Sequence, residues 1–419
     1  MTILGRSSST LYSAGTDMDI RNRHSTAALK YNDHRSEFCV HSQLTSHQRI
    51  VVDQDGSFLA DTFAQFQREG DCLVIADQRV CELRPDILAR LPANVPLLSF
   101  PFSERTKTVE TVELVLDFAC NTGLPRRGMF VAFGGGSCTD VVGLAASLYR
   151  RGAPHIKIPT TLMGMVDAGI ATKNGVNFHG LKNRLGTFLP PELSIVTPDL
   201  LATLPSRHIS NGLAECIKLG VIAHPELFSL LTGIAAKNGI EEFRAGTNRT
   251  LGIIKESILK MLESLTGNLY EEGSLQRSVD FGHTLSPLLE SELGDAILHG
   301  EAVALDMAFH TILATNLHLL SAHDGARILK LIRDLGLPVC HRVIDRGFVY
   351  SAYQSATSHR GGALNLPMPQ GIGNCKFLTD FSALDETAIQ TTIDQLRSCQ
   401  NDTSKLAFNV TAAPLANDA

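Results

Sequence analysis

The sequence predicts an α/β N-terminal domain followed by a mostly α-helical C-terminal domain, and three observations carry that reading. Between Arg49 and Thr197, short apolar runs alternate with helical stretches, as in a parallel sheet with helical crossovers. Three consecutive glycines, Gly134 to Gly136, stand between one such run and a helix pattern. From Asp199 onward helical periodicity dominates, and strand signals nearly vanish until Cys375–Leu378. The expected boundary lies near residue 198, giving domains at 46–198 and 199–400 between a flexible arm, 1–45, and a loose tail, 401–419.

The first domain's elements follow in order. Leu73–Ala76 is a buried strand ending at Asp77, where an acidic residue either accepts hydrogen bonds from a ribose or caps a turn. Leu97–Phe100 is a second strand, followed by a polar turn with Glu104 and Lys107 and a helix over Thr108–Cys120. Met129–Phe133 runs into Gly134–Gly136, with a helix from Val141 to Tyr149 closed by Arg150 and Arg151. Glycines between strand and helix expose backbone N–H groups at the helix's positive end, which suits a pyrophosphate or a plain tight turn. The spacing is not G-x-G-x-x-G, so an ordinary dehydrogenase fingerprint is absent. His155–Pro159 and Leu193–Thr197 complete the strands.

Pro159 to Gly186, PTTLMGMVDAGIATKNGVNFHGLKNRLG, is the stretch around which the chain is organised. It sets Thr160, Thr161, Asp167, Lys173, Asn177, Lys182, Asn183 and Arg184 among small residues and five glycines. Small residues let a backbone approach a ligand, and mixed charges with amides suit a polyhydroxylated, phosphorylated molecule. The alternative is a polar surface loop.

Composition bounds the function. The chain of 419 residues is 44% hydrophobic and 19% charged, as in a globular protein with a sizeable core. Net charge is −6, from 37 basic and 43 acidic residues without a basic block, so nucleic acid is not an expected partner. No apolar run approaches the ~20 residues of a membrane span, and no secretory segment opens the sequence, so the expected location is cytoplasmic. The early Ser and Arg content suits an organelle transit peptide, but Asp17 and Asp19 count against one. His24, His34 and His41 are expected to be solvated. Nine cysteines without a C-x-x-C pair form neither a disulfide framework nor a thiolate zinc site.

In the second domain Asn211–Ile222 is helical, with Glu215 and Lys218 three residues apart on one face. His283 in DFGHTLSP and His299 in LHGEAVALDM lie 16 apart, each beside a glycine at the mouth of a helix. Two histidines and a glutamate form a three-ligand site of the catalytic zinc type, or the histidines are structural. His310 reads as core rather than ligand.

Together these motifs resemble the sugar phosphate cyclases, the superfamily of 3-dehydroquinate synthase. The likeness runs from about Leu73 to Leu378 and lies in the ordered co-occurrence of GGGSCTD, LYRRG, PTTLMGMVDAG, K-x-G-V-N, KNRLG, NGLAE-x-x-K, D-x-GHT and HGEAV. It implies an NAD-binding α/β domain, a metal-binding helical domain and a homodimer. Glu215, His283 and His299 would hold a divalent metal, zinc or cobalt. Asp77, Glu104, Lys107, Gly135, Gly136, Asp140, Thr160, Thr161 and Lys182 would contact NAD. Asp167, Lys173, Asn183 and Lys218 would face a sugar phosphate substrate, with Arg151 reaching its phosphate from the neighbouring subunit. The implied chemistry is transient oxidation, phosphate elimination, reduction and intramolecular aldol cyclisation. A metal-dependent alcohol or glycerol dehydrogenase is the remoter alternative, against which KNRLG and NGLAE-x-x-K argue.

Departures from the pattern select a branch. Dehydroquinate synthases resemble one another in N-x-GHT followed by G-H, where this chain has Asp280 and Pro287. An aspartate there would repel a substrate carboxylate, so a ketose phosphate is expected. The resemblance is to the 2-epi-5-epi-valiolone synthases, which act on sedoheptulose 7-phosphate. Desmethyl-4-deoxygadusol synthases differ at the positions of Leu265, Asp280 and His359, and of these Asp280 and His359 would orient hydroxyls and steer the fate of the intermediate.

Overall fold

The structure is a computed structural model that describes residues 24–32, 37–45, 47–66, 72–271, 276–359, 365–379 and 384–401. In the segment expected to be a flexible arm, β1 (His24–Asn32) and β2 (Glu37–Thr45) form an antiparallel pair, with Leu29 opposite Val40 and Tyr31 opposite Phe38. The Ser- and Asn-rich composition had concealed this alternation of period two. Residues 1–23 and 402–419 lie outside the described residues.

From residue 49 the elements are β3 (Arg49–Val52), α1 (Ser57–Gln65), β4 (Cys72–Asp77), α2 (Gln78–Leu83), α3 (Pro85–Leu88), β5 (Leu97–Phe100) and α4 (Val109–Asn121). They continue through β6 (Met129–Gly134), α5 (Gly136–Leu148), β7 (His155–Pro159), a hairpin of β8 (Lys173–Phe178) and β9 (Leu181–Phe188), and β10 (Leu193–Val196). Six strands make one parallel sheet in the order β3-β10-β7-β6-β4-β5. From β4 the chain steps to one neighbour, β5, and then across to the other, β6. The switch opens a crevice at the carboxyl ends of β4 and β6, where such sheets bind ligands.

The sheet is covered on both faces, and period two sorts its residues. Val74 and Ala76 of β4 and Val131 and Phe133 of β6 pack into the larger core, and Leu73, Ile75, Phe130 and Ala132 into the smaller one under α4 and α5.

After β10 the chain is mainly helical: α6 (Ser206–Ile222), α7 (Pro225–Ala235), α8 (Gly239–Arg244), α9 (Asn248–Thr266), α10 (Ser286–Leu293), α11 (His299–Asn316), α12 (Ala322–Asp334) and α13 (Arg346–His359). A short pair, β11 (Leu366–Pro369) and β12 (Cys375–Leu378), and α14 (Glu386–Asn401) end the described chain. Helices α6 and α11 are buried on almost every side, so their polar residues must be satisfied within the protein. They meet at Gly300, where an added Cβ would collide with the Asn211 carbonyl oxygen. The Gly300 N–H donates to Asn211 Oδ1 at 2.6 Å. That close approach seats the first turn of α11, and His299 with it, over α6. Among the described residues no helix is long and apolar enough to cross a membrane.

Candidate active site

Glu215, on buried α6, has no solvent exposure, and its carboxylate oxygens lack a well-formed hydrogen bond. The Lys218 ammonium, one turn on, makes an ion pair with it. His283 Nε2 stands 3.8 Å and His299 Nε2 3.7 Å from Glu215 Oε1. The other nitrogen of each ring is engaged: His283 Nδ1 faces the Phe281 carbonyl at 3.2 Å and His299 Nδ1 faces Glu290 Oε1 at 2.9 Å. The arrangement turns both Nε2 atoms and a buried carboxylate toward one point, the donor set and outer-shell pattern of a catalytic zinc site. His310 is not part of it. Its Nδ1 bonds Asp306 at 2.5 Å and its Nε2 faces the Tyr353 hydroxyl at 3.2 Å, both in the core.

The two histidines titrate in opposite directions. Burial and then the Lys218 cation lower His283 to about 4. Burial would lower His299 too, but the Glu290 and Glu215 carboxylates raise it to about 10. A metal ion must therefore displace a proton from His299 throughout the neutral range. Apparent zinc affinity should rise about tenfold per pH unit between about pH 6.5 and 8.5. Removing the outer carboxylate in Glu290→Ala should weaken affinity about 10- to 100-fold. Competition titrations with a chelator at several pH values measure both; a flat profile would refute the protonated His299.

The sheet crevice gathers the residues implied in NAD binding. Asp77 ends β4 and caps α2 through the Arg79 N–H at 2.9 Å, so the capping role weighed for it is realised beside the crevice. Helix α5 begins at Gly136, not Val141, with Gly135 at its N-cap and Gly134 ending β6, so the three glycines make the strand-to-helix junction. An added Cβ on Gly134 would collide with Cys138 Cβ at 2.6 Å and one on Gly135 would meet Thr161 at 3.1 Å, so both positions lack room for a side chain where the strand turns into the helix. Thr160 N–H donates to the Gly134 carbonyl at 3.0 Å, and the Thr161 hydroxyl accepts from Gly164 N–H at 3.1 Å. Buried Lys107 reaches Asp140 Oδ2 and Asn183 Oδ1, each at 2.6 Å. Glu104 accepts from Asn177 at 2.8 Å and lies 3.9 Å from the Lys182 ammonium.

Asp167 sits on a π-helical turn, Gly164–Ala168, a distortion common at functional sites. Burial and the nearby Glu215 raise its carboxyl, with Lys218, His299 and Lys173 working against them. Lys173 opens β8 and makes an ion pair with Glu271. Asn183 adopts a left-handed conformation, φ 51°, its N–H donating to Asn177 Oδ1 at 2.9 Å. Buried Asp280 accepts from Arg277 Nη2 at 2.6 Å. Leu265 lies near the end of α9, partly buried against the core. Arg151 is not brought in: it is exposed beyond the far end of α5, some 20 Å of helix from Gly136. His359 ends α13, and its side chain lies outside the described residues.

Sequence reasoning missed Glu290, Arg277 and Asp306. Glu290 joins the two halves of the site, accepting from Lys182 at 2.6 Å through one oxygen and contacting His299 through the other. Burial opposes its ionisation, but His299 and Lys182 hold its carboxyl down to about 2. The available signal was an acidic residue seven after His283 in the otherwise apolar run SPLLE.

Known proteins share this architecture. Residues 97–211 match the family described as 3-dehydroquinate synthase N-terminal, and residues 212–357 match 3-dehydroquinate synthase C-terminal. The chain belongs to the 3-dehydroquinate synthase family of sugar phosphate cyclases. Within that family it is 40% identical over 360 residues to the 2-epi-5-epi-valiolone synthase of Streptomyces hygroscopicus subsp. jinggangensis (strain 5008), covering 84% of this chain and 87% of the relative. It is 37% identical over 346 residues to the demethyl-4-deoxygadusol synthase of Trichormus variabilis, covering 79% and 82%. The solved structure of ValA, a 2-epi-5-epi-valiolone synthase from the same Streptomyces strain with NAD+ and Zn2+ bound, superposes with a TM-score of 0.79 at 39% identity, covering 85% of this chain and 98% of that one.

Proposed function

We propose that this chain is a 2-epi-5-epi-valiolone synthase: it converts sedoheptulose 7-phosphate to the cyclic ketone and phosphate, with NAD and a divalent metal as resident cofactors. The observation that carries the reading is similarity to valiolone synthases along more than four fifths of the chain. The convergent Glu215, His283 and His299 and the cations around them agree with it. When bound, NAD supplies a reversible hydride acceptor, and the metal supplies a Lewis acid for adjacent hydroxyls.

The chain's own residues bind and orient. Gly135 and Gly136 place amides at the positive end of α5 for a pyrophosphate, and Asp77 offers a ribose acceptor. Lys107, Asp140, Glu104, Thr160, Thr161 and Lys182 surround that crevice. Lys173 and Lys218 supply positive charge for the departing phosphate, and Arg151 would add to it from the partner subunit of a cytoplasmic homodimer. Asp167 and Asn183 hold substrate hydroxyls. Asp280, paired with Arg277, works as an oriented acceptor whose charge is partly offset, not as a bare negative charge.

Incubation with NAD, zinc and sedoheptulose 7-phosphate, following phosphate and the product's mass and stereochemistry, tests the assignment. Phosphate with 2-epi-5-epi-valiolone supports it. Demethyl-4-deoxygadusol would keep the site and overturn the branch, and no phosphate release would overturn the substrate. Asp280→Ala is expected to slow phosphate release or divert the product, because a hydroxyl loses its acceptor and Arg277, left with Glu271, is no longer held from both sides. An unchanged product at an unchanged rate would remove Asp280 from the specificity argument.

A further inference from the structure

We propose that Lys157 is a positioning residue for the reaction: from beneath the site it clamps the irregular loop that carries Asp167 at one end and Lys173 at the other. This deepens the proposed function and rests on it. Lys157 lies in the centre of β7, fully buried between Ile156 and Ile158. Among the described residues no carboxylate comes within ion-pair distance of it. Its ammonium instead donates to three carbonyls of the loop, those of Ala168 at 3.1 Å, Ala171 at 3.3 Å and Lys173 at 3.5 Å.

The carbonyls between these are taken by other donors. Ser194 on β10 donates to Gly169 at 2.7 Å, and Gln48, just before β3, donates to Ile170 at 2.7 Å. The Thr172 carbonyl accepts from Leu189 N–H at 2.9 Å and from Asn174 at 3.2 Å. Every carbonyl from 168 to 173 therefore has a donor, although residues 169–172 are neither helix nor strand. The loop's amides turn inward too: Ile170 and Ala171 donate to the Asp167 carbonyl at 3.1 and 3.0 Å. Asp167 is thus fixed through its own main chain by the turn that Lys157 holds.

Burying an ammonium without a counter-ion is costly, and a hydrophobic residue in a sheet centre would fold at least as well. Stability does not explain the lysine; three divergent N–H donors at one point do, since no other side chain but arginine offers as many, and arginine's donors lie in one plane. Burial lowers its pKa to about 8, so the ammonium still predominates at neutral pH. Rigid placement of both substrate-facing residues is what the clamp contributes, and a displacement near 1 Å costs about 10²-fold in rate.

The test compares Lys157→Gln, Lys157→Met and Ser194→Ala in the NAD- and zinc-loaded enzyme, with phosphate release, zinc content and hydrogen exchange of the 167–173 amides as readouts. The expected result is folded, zinc-loaded protein with faster loop exchange. For Lys157→Met, kcat/KM should fall about 10²-fold with kcat carrying most of the loss. Lys157→Gln, which keeps two donors, should be partly rescued, and Ser194→Ala should lose less than either. Folded Lys157 variants with wild-type kcat, KM and loop exchange would overturn the proposal. Should neither lysine variant fold, Ser194→Ala decides: faster loop exchange with lower kcat supports the clamp, and no change in either overturns it. A wild-type enzyme that releases no phosphate strikes the functional reading instead, and loop exchange alone then decides the clamp.

Discussion

Glu215→Gln is expected to yield a protein that retains no stoichiometric zinc after dialysis and releases phosphate from sedoheptulose 7-phosphate on the order of 10³-fold more slowly, the several kcal/mol a Lewis acid supplies. The carboxylate is the only anionic member of the three-ligand cluster, and it is wholly buried. Burial opposes its ionisation, but Lys218, His299 and His283 overcome that and hold its carboxyl well below the usual range. An amide of the same shape removes the charge without opening a cavity. It also leaves the Lys218 ammonium buried without its partner, a change that costs about 3–5 kcal/mol in comparable buried pairs. The fall in stability should show in urea unfolding of metal-free protein, where zinc binding cannot mask it. A Glu215→Gln protein with wild-type zinc content would sink the assignment of this residue as a ligand.

Asp306→Ala is expected to destabilise the protein by about 3–5 kcal/mol and to weaken zinc binding, although Asp306 touches no ligand atom. One carboxylate oxygen accepts from the backbone amides of Thr284, Leu285 and Ser286 at 2.7, 2.5 and 3.0 Å, and the other meets His310 at 2.5 Å. Those amides include the first turn of α10 and the residue after His283, so the carboxylate fixes the turn that aims the His283 ring. Alanine would leave the three buried amides without their acceptor and His310 Nδ1 with only the residue-306 carbonyl at 3.1 Å. Burial opposes ionisation of Asp306, but His310 and the amides hold its carboxyl below the ordinary value. The stabilisation is therefore complete above the unfolded carboxylate range near pH 4 and lost as pH falls below it. Urea unfolding with a parallel zinc titration reads both effects; a loss under about 1 kcal/mol with unchanged zinc affinity would refute the role.

The alternation of apolar runs and the glycine cluster made the α/β sheet legible, because strand period and strand-to-helix turns are local properties of a chain. The starts and ends were less so. Helix α5 begins five residues before its apolar pattern does, since three small residues fit a first turn but carry no periodicity. The β1–β2 pair was hidden for a related reason: its polar composition outweighed an alternation that only pairing makes meaningful. Glu215, His283 and His299 stood out by their motif neighbours, while a separation of 16 positions between the histidines said nothing about distance.

By itself the sequence determined the alternation of the main sheet strands with their helices, though not the β1–β2 pair or the β8–β9 hairpin, together with the residue types able to hold a nucleotide, a metal and a sugar phosphate, and the family those motifs mark. Only the tertiary structure decided which partners those residues have. Lys182 and Glu290 are 108 residues apart, and their 2.6 Å contact exists because β9 folds over α10. Lys157 looks like any lysine in a strand until the fold buries it beneath the loop whose Ala168, Ala171 and Lys173 carbonyls it bonds. The physical reason is the same in both cases: spacing along the chain encodes only contacts within a few turns, whereas the groups that satisfy a buried charge or carbonyl are chosen by packing between elements far apart in sequence.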